Sequence, residues 1–211
     1  MRMNLGLVAA CLSLALTAPL TGCSAPSDTT QNKMDTGNAD PNYPAGPYGY
    51  TEGSTMADYK FIGKTPTNGN YDAAPVRDLL LGEFHADAST KLLFLVGAAL
   101  WCGPCNQEAP EVEALAEKYA DQGVKVMTVL VEGSVRGLTS TPDDMGEWVT
   151  RHGFKDTVMG IDPEARLFQY APASAFPVQI IVDTKTMKIK LLHIGGDLDA
   201  EAAVTDALAT L

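Results

Sequence analysis

Apolar positions along this chain follow two alternating rhythms. Leu92 to Leu100 is an almost unbroken apolar run, the mark of a strand buried on both faces of a sheet. Just beyond it, Asn106 to Ala120 carries Val112, Leu115, Ala116 and Tyr119, the spacing of an amphipathic helix. Gly123 ends that helix, and Val124 to Val131 predicts a second buried strand. Thr141 as N-cap with Pro142 at the first helical position opens a helix to His152. A short strand follows at Val158 to Ile161, then a short helix at Pro163 to Tyr170 and a strand at Val178 to Val182. Asp183 to Thr186 is a turn, from which Met187 to Ile194 pairs back as a hairpin. Gly195-Gly196 breaks the chain before a last helix from about Asp199 to Leu211. Upstream, Tyr59 to Ile62 and Val76 to Phe84 predict short strands, or a strand and a turn of helix, covering an edge of the sheet. Strands alternating with helices and closing on a hairpin make an α/β protein with a mixed central sheet. No internal repeat is visible.

The first residues carry a different pattern. Arg2 precedes an apolar segment from Leu5 to about Leu20, which ends in Leu20-Thr21-Gly22-Cys23. A basic start, a short apolar stretch and small residues at its end describe a secretory signal, too short for a confident membrane-spanning helix. Residues 24–55 are rich in Ser, Thr, Asp, Asn, Gly and Pro and nearly devoid of aliphatic side chains. They cannot bury enough surface to fold, so the expected division is a signal over 1–22, a disordered tether over 23–55 and a folded domain over 56–211. Tyr43, Tyr48 and Tyr50 fall in this tether, where they are expected to remain part of the linker or to pack loosely on the domain.

Composition sharpens the picture only modestly. Of 211 residues, 45% are hydrophobic and 19% charged, ordinary for a globular chain. A formal net charge of −11 offers no basic stripe to displace counterions from phosphate, which excludes a nucleic-acid partner.

The chemistry is concentrated at Trp101-Cys102-Gly103-Pro104-Cys105. Both cysteines fall at the strand-to-helix junction, Cys102 near the helix N-terminus and Cys105 about one turn inside. Exposed amides and the helix dipole favour negative charge there, so Cys102 is placed to exist as a thiolate. Two intervening residues bring the sulfurs within disulfide reach, and Pro104 fits an early helical position where its missing N–H costs nothing.

Two resemblances can now be stated. Leu20-Thr21-Gly22-Cys23 resembles the bacterial lipobox, which implies cleavage before Cys23 and its lipidation. Ser24, by the sorting rule of enteric bacteria, would favour the outer membrane. Of four cysteines, Cys11 would leave with the signal and Cys23 would be consumed by lipid. Cys102 and Cys105 would be the thiols of the mature protein, in a compartment where disulfides persist. The pentapeptide around the cysteines, extended by Asn106-Gln107-Glu108-Ala109-Pro110, resembles thioredoxin-like proteins of the TlpA/ResA branch. Phe176-Pro177 just before a strand and the terminal Gly195-Gly196 are similar too, and the resemblance spans about Met56 to Leu211.

That resemblance implies a thioredoxin-like fold with an N-terminal extension and an inserted helix–strand unit between Leu138 and Ile161. It implies a thiol–disulfide oxidoreductase of the bacterial envelope, facing the periplasm and needing no cofactor. Its partners would be client proteins carrying disulfides or thiols and an upstream membrane redox donor. Cys102 would be the nucleophile and Cys105 the resolving thiol, with action as a reductant expected. Pro177 would be cis and lie against the cysteines, forming with Trp101 and Phe176 the surface where a client chain lies. Glu108 would assist proton transfer, with a solvated helix glutamate as the plainer reading. One departure stands out: thioredoxins proper carry a buried aspartate six residues before the first cysteine, and here that residue is Val96.

Rival chemistries fit less well. A peroxiredoxin-like peroxidase of the same fold places a threonine where Ala99 stands. A copper carrier pairs more widely spaced cysteines with a distant histidine. For zinc the cysteines supply two ligands, while His85, His152 and His193 are scattered without paired spacing.

Overall fold

The computed structural model of the chain describes residues 41–172 and 175–211. The signal segment, Cys23 and the first part of the expected tether lie outside the described residues.

Seven strands form one mixed sheet. They are β1 (Lys60–Lys64), β2 (Arg77–Leu80), β3 (Leu92–Ala99), β4 (Val124–Glu132), β5 (Val158–Ile161), β6 (Val178–Asp183) and β7 (Lys188–Ile194), in the spatial order β2-β1-β5-β4-β3-β6-β7. The helices are α1 (Gly82–Ala86), α2 (Gly103–Tyr119), α3 (Pro142–His152) and α4 (Ala200–Ala209). β3 lies parallel to β4 and β4 to β5, while β1, β2, β6 and β7 pair antiparallel with their neighbours. This is the α/β architecture expected from the pattern, a mixed sheet flanked by helices.

All eight residues of β3 are buried, because the strand is central and covered on both sides. Leu92, Phe94 and Val96 face a core built with Val112, Leu115 and Ala116 of α2, Trp148 of α3 and Val204 of α4. Leu93 and Leu95 face the opposite core, with Met127, Val129, Ile180 and Val182. Period-two alternation therefore sends every second apolar residue to a different core, and both must be covered.

The second core is where expectation and structure part. Residues 41–55, expected as the end of a disordered tether, are seated on the domain. Tyr43 is 9% exposed, its hydroxyl donates to the Met56 carbonyl at 2.9 Å, and its ring meets His85 edge-on at 5.5 Å. Tyr50 packs edge-on against Tyr170 at 5.3 Å. The same segment runs beside β7: Gly53 N–H donates to the Ile189 carbonyl, Ile189 N–H to the Ser54 carbonyl and Met56 N–H to the Met187 carbonyl. β7 is the edge of the sheet, and its outward N–H and C=O groups would otherwise lack partners within the protein. Aliphatic content misses this, because the segment is held by aromatic rings and backbone hydrogen bonds.

Smaller differences are local. The helix expected over Pro163 to Tyr170 is one 3₁₀ turn, Arg166–Gln169, entered through Ala165 in the left-handed region at φ 51°. Thr141 does cap α3, accepting from Asp144 N–H while the Asp144 side chain returns to the Thr141 backbone. Asp199 is the N-cap of α4 rather than its first residue.

Candidate active site

The site forms where β3 runs into α2. The Leu100 N–H donates to the Glu132 carbonyl and the Cys102 N–H to the Ala99 carbonyl, each at 3.0 Å. The chain then turns, and Cys102 becomes the N-cap of α2 with φ −74° and ψ 112°. Its Sγ accepts from the Cys105 N–H at 3.2 Å, the position a side-chain acceptor takes at a helix start. Cys102 and Cys105 are joined as a disulfide, with their Cα atoms 5.3 Å apart. Sulfur at a helix N-terminus faces free N–H groups and the positive end of the dipole, so reduction leaves Cys102 the better-stabilised thiolate. Burial does not separate the two: Cys102 is 2% exposed and Cys105 1%.

Trp101 is held from three sides. Its Nε1 donates to Glu132 Oε2 at 2.7 Å, the Arg136 guanidinium lies 4.1 Å from its ring centre, and Phe176 meets it edge-on at 6.1 Å. Phe168 lies beyond Phe176 at 5.5 Å. The Phe176–Pro177 peptide bond is cis, and the Pro177 carbonyl accepts from Gly195 N–H at 3.0 Å. Gly196 closes the ring of contacts. A Cβ there would sit 3.0 Å from Pro104 Cβ and 4.0 Å from Pro177 Cδ, so the active-site proline, the cis proline and this glycine adjoin one another.

Glu108 is one turn along α2 from Cys105 and half-buried. Gln179 Nε2 donates to its Oε2 at 2.6 Å. Burial pushes the Glu108 carboxyl up to about 7; the Gln179 hydrogen bond opposes the rise, and Glu111 adds to it. Glu108 Oε1 and Gln179 Oε1 are both buried without a hydrogen-bond partner among the described residues. A carboxyl that ionises near neutrality can both take and release a proton under working conditions. Gln179 sits opposite Val96 in the β3–β6 register. Residues paired in this way share a face of the sheet, so the polar group here reaches the core from β6 and meets an acid carried by α2.

Asn106 ties the junction to α3. Its Nδ2 donates to the Leu100 and Cys102 carbonyls, and its Oδ1 accepts from Arg151 Nη1 and lies 3.1 Å from His152 Nε2. Burial, and secondarily the Arg151 charge, holds the His152 pKa below its ordinary value.

The structure thus brings together Trp101, Cys102, Cys105, Phe176 and Pro177, and sets Glu108 on the same helix as the cysteines. The histidines stay apart: His85 contacts the Asn42 and Thr184 carbonyls, His152 contacts Asn106, and His193 contacts Asp197. Among the described residues no three His, Cys, Asp or Glu side chains are grouped to hold a metal ion. Sequence reasoning missed Gln179, Glu132, Arg136, Asn106 and the closeness of Gly196. Gln179 could have been noticed as the one polar residue inside the apolar run Val178 to Val182. Glu132, one residue beyond the strand expected over Val124 to Val131, is the last residue of β4 and 4% exposed.

Comparison with known proteins agrees with this geometry. The Redoxin family model matches residues 83–208. Thioredoxin 1 of Synechococcus elongatus is 39% identical over 101 residues, covering 45% of this chain and 90% of that protein. Among solved structures, a chain from Chlorobium tepidum assigned as the thiol:disulfide interchange protein DsbE superposes with a TM-score of 0.55 at 18% identity. That match covers 76% of this chain and 96% of the other. The exposed lipoprotein thioredoxin Etrx1 of Streptococcus pneumoniae superposes with a TM-score of 0.53 at 21% identity, covering 74% and 100%. At these identities the structural matches show a shared thioredoxin-like fold.

Proposed function

This chain belongs to the Redoxin family, and from that premise we propose that it is a lipid-anchored thiol–disulfide oxidoreductase of the bacterial envelope that reduces protein disulfides through Cys102 and Cys105. The observation that carries the reading is the Cys102–Cys105 disulfide at the start of α2, with Cys102 Sγ accepting the Cys105 amide.

The chemistry balances without a cofactor. In the reduced protein the Cys102 thiolate attacks one sulfur of a client disulfide. A new S–S bond forms, the client's bond breaks and its other sulfur leaves as a thiolate. Cys105 then loses its proton and attacks Cys102 Sγ, so the client departs with both sulfurs reduced and the Cys102–Cys105 disulfide is restored. Glu108, poised near neutrality, is the group we assign to accept the Cys105 proton. Two electrons have passed to the client, and an upstream membrane dithiol must return them for another cycle. Trp101, Phe176 and Pro177 supply the apolar ledge on which the client chain lies beside the sulfurs.

The anchor rests on the Leu20-Thr21-Gly22-Cys23 tetrapeptide, which places lipid on Cys23 and the domain on the periplasmic side of a membrane, the outer one by Ser24. Etrx1, which shares the fold, is itself described as an exposed lipoprotein. With residues 41–55 seated on the domain, the 17 residues 24–40 remain as tether and would span roughly 20–25 Å if flexible.

Replacing Cys105 by Ser tests the mechanism. The nucleophile remains and the resolving thiol is gone, so client proteins should accumulate as covalent adducts on a non-reducing gel of envelope extract. Cys102→Ser should give none. Absence of adducts from Cys105→Ser, together with failure of the native protein to reduce insulin disulfides, would end this reading. A reduction potential near −270 mV, roughly that of thioredoxin, supports the reductant, and one near −120 mV, roughly that of DsbA, reverses the direction.

A further inference from the structure

Asn106 makes every hydrogen bond that its side chain can make. The two N–H groups of Nδ2 reach the Leu100 carbonyl at 3.1 Å and the Cys102 carbonyl at 2.7 Å. Oδ1 receives Arg151 Nη1 at 2.9 Å and lies 3.1 Å from His152 Nε2. A primary amide has two donors and two acceptor lone pairs, so these four partners saturate it. The flipped amide would set its oxygen against two carbonyls and its NH₂ against a guanidinium, so the neighbours decide the orientation. His152, held toward its neutral form by burial and by Arg151, serves here through an Nε2–H.

We infer that Asn106 is a positioning residue for the Cys102 thiolate, and that Arg151 and His152 of α3 hold it in that role. The inference rests on the reading of Cys102 as nucleophile and adds to it a means of setting the redox balance. The Leu100 and Cys102 carbonyls bracket Trp101 and Cys102, at the junction where the sulfur must carry negative charge. Carbonyl oxygens are themselves partly negative, and the Asn106 N–H groups offset that charge. The Cys102 carbonyl also receives the Asn106 backbone N–H at 3.1 Å, the first hydrogen bond of α2, so the same residue closes the helix start twice. Arg151 is shared: its Nη2 is bound to Glu147, and its Nη1 faces Asn106 and, at 3.5 Å, the Leu100 carbonyl. Its contribution therefore passes mainly through the amide that it orients. Losing the amide removes one donor from each carbonyl, leaving the Cys102 carbonyl only the backbone N–H of residue 106 and the Leu100 carbonyl only the long contact to Arg151. Their less-offset partial charge disfavours the thiolate and so favours the disulfide.

The test uses the purified protein equilibrated with a dithiothreitol redox buffer, with the thiolate of the reduced form followed by its ultraviolet absorbance against pH. Asn106→Ala should move the thiol–disulfide equilibrium toward the disulfide by about tenfold, which is about 30 mV, and should raise the pH at which the thiolate appears. Arg151→Met should shift both readings in the same direction and by less. The double variant should shift little further than Asn106→Ala, because Arg151 acts mainly through Asn106, and Arg151→Lys should recover most of the native value. A purely structural Asn106 would lower the melting temperature and leave potential and thiolate unchanged, and that result overturns the inference, as does a double variant whose shifts simply add. Arg151 is 40% exposed, so its variants remain foldable, and their potentials decide the matter should Asn106→Ala not fold. A native protein that fails to exchange with the buffer at all would strike at the oxidoreductase reading itself; native exchange with an unshifted Asn106→Ala strikes at this inference alone.

Discussion

Gln179 Nε2 donates to Glu108 Oε2 at 2.6 Å, across the gap between β6 and α2. This contact ties a titratable carboxyl of the helix that carries both cysteines to the sheet. Thioredoxins proper bring theirs from the strand now occupied at that point by Val96. Gln179 pairs with Val96 in the sheet register, so here the polar groups reach the interior from β6 and α2.

The first prediction follows from that pair. Burial raises the Glu108 carboxyl from 4.5 to about 7, so the folded protein holds a proton that the unfolded chain releases. Stability is full below pH 4.5 and falls as pH rises towards about 7. Glu108→Gln removes the titration. By urea denaturation it should match the native protein at pH 4.5 and exceed it by about 1–2 kcal/mol at pH 8, a figure reduced for the partial exposure of the carboxyl. The reaction with client disulfides should at the same time lose its inflection near pH 7. Identical pH profiles for the two proteins would remove Glu108 from proton transfer.

Gly196 gives the second. A Cβ at this position meets Pro104 Cβ at 3.0 Å, and a branched side chain would push into the space between Pro104 and Pro177. Gly196→Val should cost about 1–3 kcal/mol by overpacking and should slow insulin reduction more than that loss of folded protein explains. Native activity at native stability would show that the site does not need this close approach.

The third concerns the segment before the domain. Tyr43→Ala removes a buried ring and should destabilise by about 3 kcal/mol, while Tyr43→Phe, which loses only the bond to the Met56 carbonyl, should cost about 1 kcal/mol. Deleting residues 41–55 should uncover the β7 edge and promote association between copies. A deletion variant as stable and as monomeric as the full chain would return this segment to the status of a tether.

The fourth concerns the anchor. Cys23→Ala should lose lipid incorporation and appear in the soluble fraction of the envelope, with its insulin reduction in detergent-free buffer unchanged. Continued fractionation with membranes would refute lipidation at Cys23.

Much of this protein was legible in its sequence because the determining interactions are local. An unbroken apolar run declares a strand covered on both faces, and β3 is buried at all eight positions. Thr141-Pro142 announces the start of α3 through a cap made within three residues, and that cap is formed. Two cysteines separated by Gly103 and Pro104 at a strand–helix junction are held within disulfide reach by one helical turn, and they are bonded. What only the tertiary structure decided depends on residues far apart in the chain. Glu108 and Gln179 are 71 positions apart, Trp101 and Glu132 are 31 apart, and no periodicity relates them. Tyr43 shows the same limit from the other side: its neighbours predict solvent, yet an uncovered sheet edge and an apolar face draw it in. Local hydrogen bonding and hydrophobic period are written along the chain. The pKa of a carboxyl, the grip on an active-site tryptophan and the cover over an edge strand arise from burial, which exists only once distant segments meet.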